Sequence, residues 1–276
     1  MTSITKAYKN QDFLNSADAR TLRLLAEYLE PQSRFRKEKI RDTIVFFGSA
    51  RLLSKDAATK SKNSILEAIR RVKKGTPSVE MMQALKAAEM SVDMSKYYEG
   101  AVELSRLITK WSRTIANPQP FVVCSGGGPG IMEAANKGAK LAGGKSIGLN
   151  ISLPFEQFPN KYITESLNFE FHYFFMRKFW FVYPAKALVV FPGGYGTMDE
   201  MMEVLTLIQT KKLRKEIFVV LYGSDFWNKV LNFQALVDTG MVSPDDLKLF
   251  KICDTPKEAF AYLQRTLTKK YLEKKE

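Results

Sequence analysis

Two glycine-rich turns, an arginine and a carboxylate are the residues of this 276-residue sequence whose types and spacing could do chemistry. The first turn reads Gly126-Gly127-Gly128-Pro129-Gly130, followed by Ile131-Met132-Glu133, and the second reads Pro192-Gly193-Gly194-Tyr195-Gly196-Thr197 and runs on to Glu200. Glycines let a backbone turn tightly and approach a ligand, and the free N–H groups of a helix's first turn attract an anion. A phosphate between or beside the turns is the natural inference. Such clusters can also do no more than permit a tight turn from strand to helix. Two of them in one sheet, the second with Thr197 and Glu200 at the start of its helix, favour a ligand.

Other chemistries fail on the inventory. The dinucleotide pattern G-x-G-x-x-G breaks at the first turn, where Ile131 stands three residues after Gly128, and at the second, where Asp199 stands three after Gly196. Gly144-Lys145-Ser146 resembles the end of a phosphate-binding P-loop, but Ala139 replaces the required glycine and a strand follows instead of a helix. A single histidine, His172, and no Cys-x-x-Cys pair leave no metal site, and His172 reads as a packed or surface histidine. No G-x-S-x-G nucleophile elbow occurs.

The elements that must position the turns are strands alternating with helices. Apolar runs at 43–47, 121–124, 147–151, 169–173, 187–191, 217–221 and 249–253 read as strands, and the first ends in Gly48-Ser49-Ala50, the form in which a buried parallel strand enters a binding turn. Helical spacing follows each glycine turn, at Ile131, Ala135, Ala139 and Ala142, and at Met201, Val204, Leu205 and Ile208. The pattern predicts an α/β fold, a Rossmann-like, doubly wound parallel sheet of six or seven strands within 42–276. Residues 1–41 form a helical extension, in which Ser16 caps a helix that stops before Pro31 and a basic linker follows. A helical insertion at 52–92 consists of two helices around the turn Lys74-Gly75-Thr76-Pro77-Ser78, and a separate amphipathic helix spans 95–114.

Composition sets the class of partner. The net charge of +13 raises nucleic acid or a membrane surface as partners, but residues 51–74 alone hold eight basic and two acidic residues, and no aromatic interleaving accompanies the remaining excess. The distribution argues against nucleic acid. The longest apolar stretch, 169–190, is interrupted by charges and a proline, so no membrane span is expected. The polar N-terminus and two cysteines, Cys124 and Cys253, each at the end of an apolar run, point to buried thiols in a cytoplasmic protein.

The glycine motifs, Arg177-Lys178 and the run from Pro192 to Glu200 resemble the LOG family, the cytokinin riboside 5′-monophosphate phosphoribohydrolases, many of whose relatives carry the label possible lysine decarboxylase. The resemblance runs from about residue 43 to 221 and is most specific at P-G-G-x-G-T-x-x-E. It implies hydrolysis of the N-glycosidic bond of a nucleoside 5′-monophosphate, with Arg177 and Glu200 catalytic and Gly193, Gly194, Gly196 and Thr197 holding phosphate. Gly48, Ser49, Gly126, Gly127, Gly128, Gly130, Met132 and Lys178 complete the implied nucleotide contacts. Where the plant-type motif reads M-H-x-R-K, this chain has Phe174-Phe175-Met176-Arg177-Lys178, as in a longer bacterial subgroup, so the base stays open. A homodimer or higher homo-oligomer is also implied.

That chemistry requires no cofactor. A lysine decarboxylase using pyridoxal phosphate requires a Schiff-base lysine with an acidic partner for the ring nitrogen, a setting that no lysine here offers. Glu200 is expected to stay ionised, favoured by the positive end of its helix and by Arg177, while Asp199, about 100° around the helix, points elsewhere. Arg177 binds the phosphate or neutralises charge that develops during cleavage, and an ordinary Arg–Glu salt bridge is the plain alternative. A non-catalytic nucleotide-binding or sensing module and a nucleic-acid-associated basic protein are the competing functions.

Overall fold

β-branched and aromatic runs, apolar on both faces, give the strands expected of a sheet covered on two sides. The computed structural model describes residues 4–72, 77–116, 118–153 and 158–273. Seven strands, β1 (Asp42–Phe47), β2 (Phe121–Ser125), β3 (Ser146–Ile151), β4 (Asn168–Phe171), β5 (Ala185–Val190), β6 (Phe218–Tyr222) and β7 (Phe250–Cys253), form one sheet in the order β4-β3-β2-β1-β5-β6-β7. Every neighbouring pair is parallel. The strands expected from the sequence are all present, with ends displaced by a residue or two.

The helices are α1 (Gln11–Asn15), α2 (Arg20–Lys37), α3 (Lys55–Arg70), α4 (Val79–Ile115), α5 (Ile131–Leu141), α6 (Phe174–Val182), α7 (Tyr195–Gln209), α8 (Ser224–Val230), α9 (Phe233–Asp238) and α10 (Pro256–Leu267). Alternate strand residues enter two separate cores. Ile44, Phe46, Val123 and Val189 pack with residues of α4, α5 and α10, whereas Val45, Phe47, Leu149 and Val190 pack with Phe35 of α2, Trp180 and Phe181 of α6 and Met201 of α7. This is the Rossmann-like, doubly wound α/β arrangement. Strands β1 to β4 step outward in one direction and β5 returns to the other side of β1, so the strand order reverses between β1 and β5, where α/β sheets open a crevice at the carboxyl ends of their strands. Both cysteines are buried, and among the described residues no helix is long and apolar enough to cross a membrane.

Two expectations fail. The segments read as the second insertion helix and the helix at 95–114 are one 37-residue helix, α4, because nothing between Met90 and Ser95 breaks helical geometry. Its first half pairs with α3, where Lys62 meets Glu89 at 3.1 Å, so the insertion is a helical hairpin; residues 73–76 of its turn lie outside the described residues. The second failure is at Pro31. Helix α2 passes through it to Lys37, taking in the first part of the expected linker, while Ser16 ends α1 and Ala19 precedes α2.

Pro31 has a physical explanation. Proline cannot donate to the carbonyl four residues back, which here belongs to Glu27. That carbonyl instead accepts the Trp180 indole N–H at 3.0 Å, so a distant side chain replaces the missing donor. Continuing the helix also buries Phe35, edge-on against Trp180 at 5.3 Å and Phe169 at 5.4 Å. The exchange predicts a coupling. Trp180→Phe should lower stability in urea by about 1 kcal/mol more in the native background than in Pro31→Ala, where the restored amide serves Glu27; equal losses in both backgrounds would contradict it.

Candidate active site

A cleft of about 330 Å³ opens where the strand order reverses. Its walls come from the ends of β1 (Phe47 to Arg51), β2 (Gly126) and β3 (Ile151, Leu153), and from α6 (Phe174, Arg177, Phe181) and the start of α7 (Gly194 to Thr197, with Asp199 and Glu200). Of the residues expected from the sequence, Gly48, Ser49, Gly126, Met132, Arg177, Gly194, Gly196, Thr197 and Glu200 line it together. Gly127, Gly128, Gly130, Gly193 and Lys178 do not.

The second glycine turn delivers a bare helix end. The first intrahelical bond of α7 is Met198 N–H to the Gly194 carbonyl at 3.0 Å, so the amides of Tyr195, Gly196 and Thr197 have no helical acceptor. Gly194 and Gly196 have open space where a side chain would stand, which leaves those amides accessible to an anion. Gly193 matters for packing instead. A Cβ there would lie 2.1 Å from Thr197 Oγ1, so the glycine lets the buried threonine fold back beneath the turn.

The first turn supports the cleft and does little to line it. Gly127 (φ +78°) and Gly130 (φ +69°) occupy left-handed backbone, and a Cβ on Gly130 would come 2.3 Å from the Ser49 carbonyl. The buried Asn160 amide donates to the carbonyls of Gly127 and Gly128 at 2.9 and 3.1 Å and to Asn136 Oδ1 at 2.9 Å, and Ser125 Oγ donates to the same Asn136 oxygen at 2.7 Å. Gly126 makes room for the arginine: a Cβ there would stand 2.6 Å from Arg177 Nη2.

Arg177 is held by carbonyls. Its Nε donates to Leu149 O at 2.7 Å, Nη2 reaches Gly126 O at 3.5 Å, and the guanidinium lies 5.0 Å from the Phe181 ring centroid. Burial pulls its pKa below the usual arginine value, and the nearby Glu200 carboxylate opposes that shift. Lys178, one residue on, turns to α7 and bonds Asp199 at 2.8 Å and Glu203 at 2.9 Å. Burial works against its charge, but these two bonds prevail and raise its pKa. Asp199 borders the cleft yet is held by Lys178.

Glu200 is the unexpected member. It is only 6% exposed, and its Oε2 has no hydrogen-bond partner among the described residues. Arg177 and Glu200 form no ion pair, so the plain salt-bridge reading is not what the fold builds. The carboxyl is also not kept firmly ionised: burial raises its pKa to about 7, against the pull of Arg177 and Lys178 and with help from Glu203 and Asp199. Attraction at a distance does not compensate for the water that the carboxylate has lost.

Sequence reasoning missed Arg51 and the apolar wall of Ile151, Leu153, Phe174 and Phe181. Arg51 directly follows the Gly48-Ser49-Ala50 turn, so its place beside a strand end was the available signal. The supporting asparagines carried no local signal, because Asn160 reaches the first turn from a separate loop.

Known proteins are similar to parts of this chain. A model of the family described as possible lysine decarboxylase matches residues 132–263, which include Arg177, the second glycine turn and Glu200. Cytokinin riboside 5′-monophosphate phosphoribohydrolase LOG7 of Arabidopsis thaliana is 26% identical over 174 residues, covering 61% of this chain and 74% of the relative. LOG3 of the same plant is 27% identical over 176 residues, covering 62% and 75%. Among solved structures, TM1055 is 19% identical, covering 81% of this chain and 99% of its own, with a TM-score of 0.47. The molybdenum cofactor carrier protein from Chlamydomonas reinhardtii is 16% identical, covering 83% and 99%, with a TM-score of 0.43.

The Glu200 environment has a measurable consequence. Between its ordinary value of 4.5 and about 7 the folded chain keeps a proton on Glu200 that the unfolded chain has lost, so stability falls as pH rises through that window. Glu200→Gln should match the native Tm near pH 4.5 and exceed it at pH 8, by on the order of 3 kcal/mol in stability. An equal Tm difference at both pH values would show that the carboxyl is not shifted.

Proposed function

We propose, for a chain that is a relative of the LOG family, that it hydrolyses the N-glycosidic bond of a nucleoside 5′-monophosphate to a free base and ribose 5-phosphate. The observation that carries this reading is the buried, unpaired Glu200 carboxyl in the cleft, one helical turn below the bare amides of Tyr195 to Thr197 and close to Arg177. A phosphate at those amides would set the ribose over Glu200. Cleavage develops positive charge on the ribose ring, which a carboxylate without a competing partner can stabilise while it orients hydroxyls or draws a proton from water. Arg177, fixed by two carbonyl oxygens, supplies a cation that cannot collapse onto Glu200. The apolar wall of Met132, Ile151, Leu153 and Phe174 suits a planar base and leaves its identity open.

The decarboxylase description finds no chemical support in the cleft. Among the described residues no lysine lines it, so a pyridoxal aldehyde would have no amine there to join.

Three outcomes are expected of the purified protein. AMP should release base while adenosine should not, because the helix end and the cations act on the phosphate. Glu200→Gln and Arg177→Ala should fold yet lose on the order of a hundred-fold in base release, with a much smaller loss for Asp199→Asn. kcat/KM should rise with pH through about 7 as Glu200 ionises. Equal turnover of AMP and adenosine would contradict the phosphate assignment. Near-normal release by folded Glu200→Gln would contradict the catalytic role of Glu200, and no base release by the native chain would leave a nucleotide-binding module as the better account.

We also propose a symmetric homodimer through the exposed aromatic residues of α6 and its end and of the start of α7, where Phe174, Phe175, Tyr183 and Tyr195 are 54%, 52%, 58% and 94% exposed. Light scattering at micromolar concentration should give twice 31.4 kDa, and a monomer mass would count against it.

A further inference from the structure

The helix that carries Arg177 is fastened at both ends to a helix that precedes the sheet. Glu27, in the middle of α2, accepts the His172 amide at 2.7 Å and the Tyr173 amide at 3.3 Å with its two carboxylate oxygens, just before α6 begins. The Tyr173 carbonyl in turn accepts the Arg177 amide at 3.2 Å. The Glu27 carboxylate and the Arg177 amide therefore bond the same residue, Tyr173, one at its N–H and the other at its carbonyl. The main chain of Glu27 serves the other end of α6, where its carbonyl, freed by Pro31, accepts Trp180 Nε1 at 3.0 Å. Tyr28 adds ring contacts to Phe179 at 5.5 Å and Trp180 at 5.9 Å.

We infer from this geometry that Glu27 is a positioning residue for Arg177, so that the N-terminal helix is a working part of the active site. A helix of nine residues is marginal on its own and takes its orientation from what packs on it. The Arg177 side chain must reach Leu149 O and Gly126 O at the ends of β3 and β2, and a small rotation of α6 would break both contacts. Helix α2 lies outside the span matched by the family model, so the device belongs to the extension and not to the motif-bearing core. The proposal rests on the hydrolase reading for its effect on rate, but its structural claim stands without that reading.

The test therefore has two arms on the full-length chain. In the first, 15N-arginine labelling reports the exchange with water of the Arg177 Nε–H, assigned by its disappearance in Arg177→Lys. Exchange should be slow in the native chain, at least ten-fold faster in Glu27→Ala and partly restored in Glu27→Gln, which keeps one acceptor. Unchanged exchange in a folded Glu27→Ala overturns the proposal; where alanine prevents folding, unchanged exchange in Glu27→Asp, whose shorter arm cannot reach both amides, does the same. In the second arm, Glu27→Ala should lower kcat for base release from AMP about ten-fold with KM changed less than about three-fold, and should cost nothing further in an Arg177→Ala background. Additive losses would mean that Glu27 acts on stability and not through Arg177. Faster Arg177 exchange in a chain that releases no base from AMP would uphold the positioning role and defeat the hydrolase reading.

Discussion

Arg177 keeps its charge in a partly buried place because main-chain carbonyls at the ends of β3 and β2 receive its guanidinium, and much of the surrounding structure serves that contact. Gly126 must lack a side chain for Nη2 to fit. The first glycine turn must hold its shape, which the buried Ser125, Asn136 and Asn160 network secures by filling the hydrogen-bonding needs of carbonyls that no strand or helix serves. Helix α6 must keep its angle, and α2 grips it. Among the charges that act on the guanidinium, the Glu200 carboxylate pulls most strongly, and the carbonyl contacts stand against that pull.

The consequence is two opposite charges in one cleft that do not touch. Coulomb attraction weakens with distance and with water in the cleft, while loss of hydration acts on the carboxyl directly. For Glu200 the second effect prevails, and the group titrates near neutrality instead of in the ordinary carboxylate range. Lys178 shows the alternative: at contact distance from Asp199 and Glu203, attraction outweighs burial. Neighbours on one short helix thus have opposite fates, one a cation committed to structure and one a cation facing the cleft. Such unpaired, partly dehydrated groups are what a site offers to a substrate that supplies the missing partners.

What could be read from the sequence was local. Apolar runs and glycine turns disclosed the strands, the direction of the sheet and the bare helix end at Tyr195 to Thr197, because each depends on residues adjacent in the chain. Gly127 and Gly130 were recognisable as turn residues but not as supports, since Asn150 and the Ser49 carbonyl, which leave no room there for a side chain, come from other parts of the chain. Lys178 read as a ligand contact because adjacency in sequence conceals the rotation of about 100° between successive helical residues. Pro31 read as a stop because the donor that replaces its amide, Trp180, lies far along the chain. The protonation of Glu200 followed neither from the helix dipole nor from the nearby arginine, as burial is a property of the fold and not of the motif.

The central claim is that Glu200 stands buried and unpaired beside a cation it does not touch. The most direct measurement is its own titration, followed by the 13C signal of the side-chain carboxyl in glutamate-labelled protein and assigned by its loss in Glu200→Gln. The account predicts a midpoint of about 7 in the free protein. A midpoint at or below the ordinary 4.5 would mean a solvated or salt-bridged carboxylate and would contradict it.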